Sequence, residues 1–165
     1  MNSFPLDTAV AVGIGANAVS PSGSARDTVS VAMPRVAALL LSCGQACQSD
    51  VCFSNIIKTI PVGGPSGQAD YFNAVVLIRH ANRLATSEAA LDLLNQLHAL
   101  ELEFGRDRFR EQRWGPRSLD LDLLFWGELR LDHPQLVLPH PRMHLRSFVL
   151  EPLLQAMQGT HPPCW

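Results

Sequence analysis

Apolar residues in this chain switch between two spacings, and the order of the switches predicts an architecture. Residues 8–14 form a short β-branched apolar run punctuated by Gly13 and Gly15, the pattern of a buried strand entering a tight turn. Ala25, Val29, Met33, Val36 and Leu40 then recur at three- and four-residue steps, which is helical spacing. Pro34 interrupts that pattern, so the helix either kinks there or begins with Pro34 as its first residue. Residues 51–60 read as a second strand, 61–67 as a loop of glycine and proline, and 72–78 as a third strand. Thr86 can cap a second helix that carries Glu88 in its first turn, buries Leu93, Leu97, Leu100 and Phe104, and stops at Gly105. Residues 106–117 show no periodicity and read as a basic loop. Residues 119–126 read as a fourth strand, and 147–157 as a final short helix with Pro152 inside it or near its start.

Strand, helix, strand, strand, helix, strand is the ferredoxin-like α+β plan. It predicts an antiparallel sheet with both helices on one face and the other face, with the active site, left for ligands. No repeat or low-complexity linker divides the chain, so residues 1–165 are expected to form one domain.

Composition narrows the function without naming it. The 165 residues are 47% hydrophobic and 17% charged, an ordinary globular balance. A formal net charge of −2 provides no general basic field for nucleic acid or a membrane surface, so an anionic ligand must be held by local arginines. No apolar run approaches the ~20 residues of a membrane span. Residues 1–8 lack the basic flank and apolar core of a secretory signal. Cys43, Cys47, Cys52 and Cys164 show no C-x-x-C spacing and read as reduced thiols, so a cytoplasmic, monomeric protein is expected.

The departure from that ordinary picture is the stretch RWGPRSLDLDLLFWG, residues 113–127. Strand alternation puts Leu119, Leu121 and Leu123 on one face and Asp120 and Asp122 on the other, with the acids roughly 6–7 Å apart at their Cα atoms. Adjacent carboxylates repel unless a cation lies between them, and Mg²⁺ commonly binds one or two carboxylates together with substrate phosphates. A bare D-x-D pair is more often a solvated edge-strand face. Here Arg106, Arg108, Arg110, Arg113 and Arg117 approach the pair along the chain, so metal ligands and guanidinium groups are brought together, the two standard devices for polyphosphate. Trp114 in the same loop is costly to expose unless it covers something flat.

The same stretch resembles the signature of the 6-hydroxymethyl-7,8-dihydropterin pyrophosphokinase family. GIGAN (residues 13–17), DYFNAV (70–75) and LPHPRMHLRSFVLEPL (138–153) are similar to further segments of that family in the same order. The resemblance implies transfer of pyrophosphate from ATP to the hydroxymethyl group of the pterin, with release of AMP. It implies that Asp120 and Asp122 hold two Mg²⁺ ions and that Arg106 and Arg117 are catalytic arginines on a loop that closes over the reactants. Thr59, Val62, Tyr71, Asn73, Trp114 and Phe148 match pterin-binding positions, and His98, Glu101, Arg108, His140 and Arg146 match ATP-binding positions. Taken alone, Phe148 reads as core, Tyr71 as core or surface, and Glu101 equally well as a solvated helix face. Ala16, Ile57 and Pro141 depart from residues common in the family, and residues 43–50 form a longer connection than in its compact members. Competing readings are a two-metal nuclease, disfavoured by the lack of a basic stripe, and a non-catalytic pterin- or nucleotide-binding paralogue, disfavoured by the intact acid pair.

Overall fold

The structure is a computed structural model that describes residues 6–108, 110 and 114–159. Its elements, in chain order, are β1 (Val10–Ala16), α1 (Ala25–Gly44), β2 (Val51–Phe53), β3 (Ile57–Thr59), β4 (Tyr71–Ile78), α2 (Ser87–Glu103), β5 (Asp120–Trp126), β6 (Leu131–His133), β7 (Leu136–Leu138) and α3 (Ser147–Met157). The main sheet runs β2-β4-β1-β5 with every neighbouring pair antiparallel, and β3 also pairs with β4. This is the α+β arrangement expected from the order of elements.

Sheet alternation builds two apolar layers. Val10, Val12, Ile14, Val76, Ile78, Leu121 and Leu123 face one side, where they meet Val29, Met33, Val36 and Leu40 of α1 and Leu93, Leu97 and Leu100 of α2. Each fully buried leucine there contributes about 1.5–3 kcal/mol relative to exposure. Ala11, Val75, Leu77, Leu124 and Phe125 face the other side against Val149, Leu153 and Ala156 of α3. The first two helices thus share a face as expected. The third lies on the opposite face, where its apolar stripe covers one end and leaves the other open.

A bulge in β5 decides which residues reach that open end. Ala11 pairs with Phe125 while Val12 pairs with Leu123, so Leu124 is an extra residue. Leu124 and Phe125 both join the α3 layer and Trp126 returns to the α1–α2 layer. Asp120 and Asp122 keep their alternation on the open side.

Several boundaries differ from the expected ones. The first strand starts at Val10, because residues Leu6–Thr8 form a 3-10 turn. Helix α1 runs unbroken through Pro34 and is started by Ser24: its hydroxyl accepts from Asp27 N–H at 3.3 Å, while the Asp27 carboxylate accepts from Ser24 N–H at 3.1 Å. Pro34 is therefore not its first residue. At the other end Gln45 is left-handed (φ 51°), and the N–H groups of Ala46 and Gln45 close onto the carbonyls of Leu41 and Ser42. The expected strand 51–60 is two short strands. Phe53 pairs with Val76 but Ile57 with Asn73, so one residue is extra between them. Ser54 occupies that irregularity, and its hydroxyl accepts the Val75 N–H at 2.8 Å in place of a ladder carbonyl. The β6–β7 hairpin is an addition to the expected elements. No described helix is long and apolar enough to cross a membrane.

Candidate active site

The open end of the second face is a cavity of about 270 Å³. Gly13, Gly15, Asn73, Asp120 and Asp122 form its sheet floor, and three connecting segments form its walls. Ten of the residues singled out in the sequence line it together: Thr59, Val62, Tyr71, Asn73, Trp114, Arg117, Asp120, Asp122, Arg146 and Phe148. His98, Glu101, Arg106, Arg108 and His140 are not in its lining.

The two acids occupy different electrostatic settings. One Asp120 oxygen accepts from Arg106 Nη1 at 2.6 Å and the other from Arg117 Nη1. Burial opposes its ionisation, but the two guanidinium groups outweigh burial and hold the carboxyl below the usual carboxylate range. Asp122 has weaker company. Arg146 Nη1 is 3.6 Å from its carboxylate and His140 Nε2 is 3.9 Å away, both beyond hydrogen-bond distance. Burial in the cavity and the nearby Asp120 charge push the Asp122 carboxyl up to about 7. Solvent still reaches 39% of this side chain, so the group is recessed and open at once. A recessed carboxylate short of positive charge, beside a second carboxylate, fits a hard cation. Among the described residues no group of three or more His, Cys, Asp or Glu side chains could complete a metal site. The pair therefore suits a cation that takes its other oxygens from substrate phosphates.

Glu101 proves to be neither a solvated residue nor a cavity residue. It is 1% exposed, beneath the edge of β5 that faces away from β1. Its Oε1 accepts from Arg106 Nη1 at 2.6 Å and from the Leu121 N–H at 2.8 Å, and its Oε2 accepts from Arg108 Nε and Nη2 at 2.9 and 2.6 Å. Burial pushes this carboxyl up, against the pull of the two arginines. Arg106, 4% exposed, also donates to the Leu119 carbonyl at 3.2 Å. Both ends of the basic segment are thus anchored, one through Arg106 and one through Arg117. Residues 109 and 111–113, including Arg113, lie outside the described residues. His98 is half-buried near the same arginines; burial and the charges of Arg108 and Arg106 pull its pKa below the ordinary value. His140 is pulled down in the same way by burial and by Arg146. Its N–H is fixed to the Leu124 carbonyl at 2.7 Å, which places it at the edge of the acid pair.

The opposite end of the cavity is shaped for a flat, polar-edged ligand. Asn73 is 6% exposed and donates to Thr59 Oγ1 at 2.8 Å. Gly15 lies beside it in the sheet, and a Cβ there would come within 3.1 Å of Asn73 Oδ1, so the absent side chain leaves room for the amide. The Tyr71 hydroxyl is 3.5 Å from the Gly115 carbonyl. Trp114 is 42% exposed and is held with φ +67°, rare for a residue with a side chain. Its carbonyl accepts from Gln68 Nε2 at 3.0 Å. A Cβ on Gly64 would lie 2.4 Å from that carbonyl, so glycine is needed there. Arg142 stands 5.4 Å over the indole, and Arg146 stands 5.7 Å over the Phe148 ring.

Three residues of this site escaped the sequence reading. Asn17, 5% exposed, donates to Gln68 Oε1 at 3.3 Å and the Ala69 carbonyl at 3.2 Å, and accepts from the Arg117 N–H at 2.8 Å. Gln68 and Arg142 act on Trp114. The signal available for Asn17 was its place directly after the glycine-punctuated strand; for the other two the chain pattern holds no cue.

Known proteins resemble this chain over the same residues. Residues 11–158 match the family model described as 7,8-dihydro-6-hydroxymethylpterin-pyrophosphokinase. Among curated relatives, the chain is similar to proteins named 2-amino-4-hydroxy-6-hydroxymethyldihydropteridine pyrophosphokinase from three bacteria. It is 46% identical to that of Pseudomonas aeruginosa over 61% of this chain and 60% of the relative. The figures are 44%, 53% and 41% for Synechocystis, and 42%, 64% and 58% for Bacillus subtilis. In these matches the chain spans at most 60% of the relative's length. The family match covers most of the chain and includes both acids, the basic segment and the walls of the cavity, and the chain belongs to the 7,8-dihydro-6-hydroxymethylpterin-pyrophosphokinase family.

Proposed function

We propose that this protein transfers the pyrophosphoryl group of ATP to the hydroxymethyl group of 6-hydroxymethyl-7,8-dihydropterin and releases AMP, a step of folate biosynthesis. The observation that carries the reading is the shared cavity: a polar-edged aromatic pocket and a recessed carboxylate pair open into one another. Asn73 offers the pterin's amide-like edge a positioned side-chain amide, and Trp114 and Phe148 offer its flat faces aromatic walls. A pterin seated there has its hydroxymethyl arm directed at the acid pair, which converts an encounter of two substrates into an oriented reaction. Asp120 and Asp122 would hold Mg²⁺ together with the ATP phosphates, and the metal would supply the charge neutralisation that an oxygen nucleophile needs to approach a polyphosphate. Arg117 on the cavity wall and Arg106 behind it place guanidinium charge beside the same phosphates, where charge on the leaving AMP grows. Arg146 and His140 stand on the far side of Asp122, suited to the rest of the triphosphate.

The test is incubation with ATP, Mg²⁺ and 6-hydroxymethyl-7,8-dihydropterin, with AMP and pterin pyrophosphate separated by chromatography. Stoichiometric appearance of both products supports the reading. Pterin binding without AMP would assign the chain to a non-catalytic relative instead.

A further inference from the structure

Arg142 lines the cavity, yet it is not among the residues singled out in the sequence and the transfer chemistry above gives it no task. The other described arginines of the site each face an acid. Arg106 and Arg117 hold Asp120, Arg108 holds Glu101, and Arg146 faces Asp122. Arg142 has no carboxylate partner among the described residues. Its neighbour is instead the indole of Trp114, 5.4 Å from guanidinium carbon to ring centroid, within cation–π range.

Two further observations make this contact part of the site. First, it is one of a pair. Arg142 and Arg146 flank the 3-10 turn Met143–Leu145, and each stands over one of the two aromatic walls, Trp114 and Phe148. The turn is tied down by His140, whose N–H donates to the Leu124 carbonyl at 2.7 Å and whose Nδ1 accepts from the Arg142 N–H at 3.2 Å. The backbone that presents Arg142 is therefore referenced to β5, the strand of the acid pair. Second, Trp114 needs holding. Its left-handed backbone persists only where the surroundings impose it. Gln68 fixes its carbonyl, and Gly63 runs beside the indole, where an added Cβ would lie 3.6 Å from the ring. Among the described residues, Arg142 is the charged group that stands over the ring.

We propose that Arg142 is a positioning residue for the pterin site: it holds the Trp114 indole as a wall of the cavity before substrate arrives. It acts through Trp114, so it serves pterin affinity and leaves MgATP affinity alone. The planar guanidinium stacks on an aromatic face better than an ammonium does, so lysine is a partial substitute. The inference rests on the pterin pocket proposed above.

The experiment compares wild type, Arg142→Ala, Arg142→Lys and Trp114→Phe. Calorimetry gives affinity for the pterin and, separately, for MgATP. Acrylamide quenching, with the Trp114→Phe signal subtracted, reports the exposure of Trp114 without any ligand. Arg142→Ala is expected to weaken pterin binding at least fivefold, to change MgATP binding less than twofold, and to raise quenching of Trp114. Arg142→Lys falls between alanine and wild type on pterin affinity. Unchanged pterin affinity, equal losses for both ligands, or unchanged quenching in Arg142→Ala would each overturn the proposal. Failure of the wild type itself to bind the pterin would instead sink the pterin-pocket reading, and the quenching measurement would still judge the Arg142–Trp114 contact.

Discussion

The Leu121 N–H donates to the Glu101 carboxylate at 2.8 Å, on the edge of β5 that, among the described residues, pairs with no strand. A helix side chain thereby completes the sheet between the two acids, and the same carboxylate binds Arg106, which binds Asp120. Removing one member of a buried ionic cluster leaves the others uncompensated, at a cost of about 3–5 kcal/mol. Glu101→Ala is expected to lose stability in that range, and Glu101→Gln, which keeps an acceptor for Leu121, distinctly less. Urea unfolding followed by circular dichroism measures both, and equal midpoints for Glu101→Ala and wild type would show the cluster to be idle.

Asp122→Ala is expected to abolish AMP release while leaving the fold intact. Among the described residues nothing donates a hydrogen bond to this side chain, and it sits beside a like charge, so its loss removes a repulsion. Turnover comparable to wild type at saturating Mg²⁺ would exclude Asp122 as the cation ligand.

Asn73→Ala should weaken pterin binding by about 1–3 kcal/mol, because its loss leaves buried polar partners without a mate. MgATP affinity should stay near wild type, since the amide points to Thr59 and the floor of the pocket rather than to the acid pair. Titration calorimetry with each ligand separates the two effects, and matched losses would mark Asn73 as purely structural.

The start of α1 gives a pH prediction. Hydrogen bonds from the Ser24 side chain and backbone hold the Asp27 carboxyl below its ordinary 3.8. A depressed acid contributes stability that is present above the unfolded value and lost as pH falls through the folded one. The stability difference between wild type and Asp27→Asn should therefore be constant near neutrality and shrink below about pH 4. Thermal melts from pH 7 down to pH 3 test it; a gap that stays constant over the whole range would rule the cap out.

Much of this was legible in the chain because the elements concerned are long and regular. Leu93, Leu97 and Leu100 announce α2 by spacing alone, and the alternation of Leu119 to Leu123 with Asp120 and Asp122 gives both the strand and the face of the acids. The break at Ser54 was not legible, since a hydroxyl that replaces a ladder acceptor looks like any strand serine. Three-residue strands such as β6 and β7 are too short to carry a period. The face chosen by α3 depends on which side of the sheet is still bare, a property of the assembled layers. Within the site, Asp120 and Asp122 could be read as neighbours because they are two apart. The pairing of Arg142 with Trp114, of Gln68 with Trp114, and of Asn17 with Arg117 joins residues distant in sequence, so only the folded chain reveals them.

The side chain of Asn17 spans the gap between two walls that belong to different parts of the chain, the segment around Gln68 and the segment around Arg117. One small amide therefore serves as a spacer that sets how far apart those walls stand. Neither wall can swing outward alone without stripping hydrogen bonds from the amide that also braces the other. Together with the direct bond from Gln68 to the Trp114 carbonyl the amide gauges that gap, and a longer glutamine at position 17 would alter the gauge of the pocket while leaving every ligand-facing group in the chain unchanged.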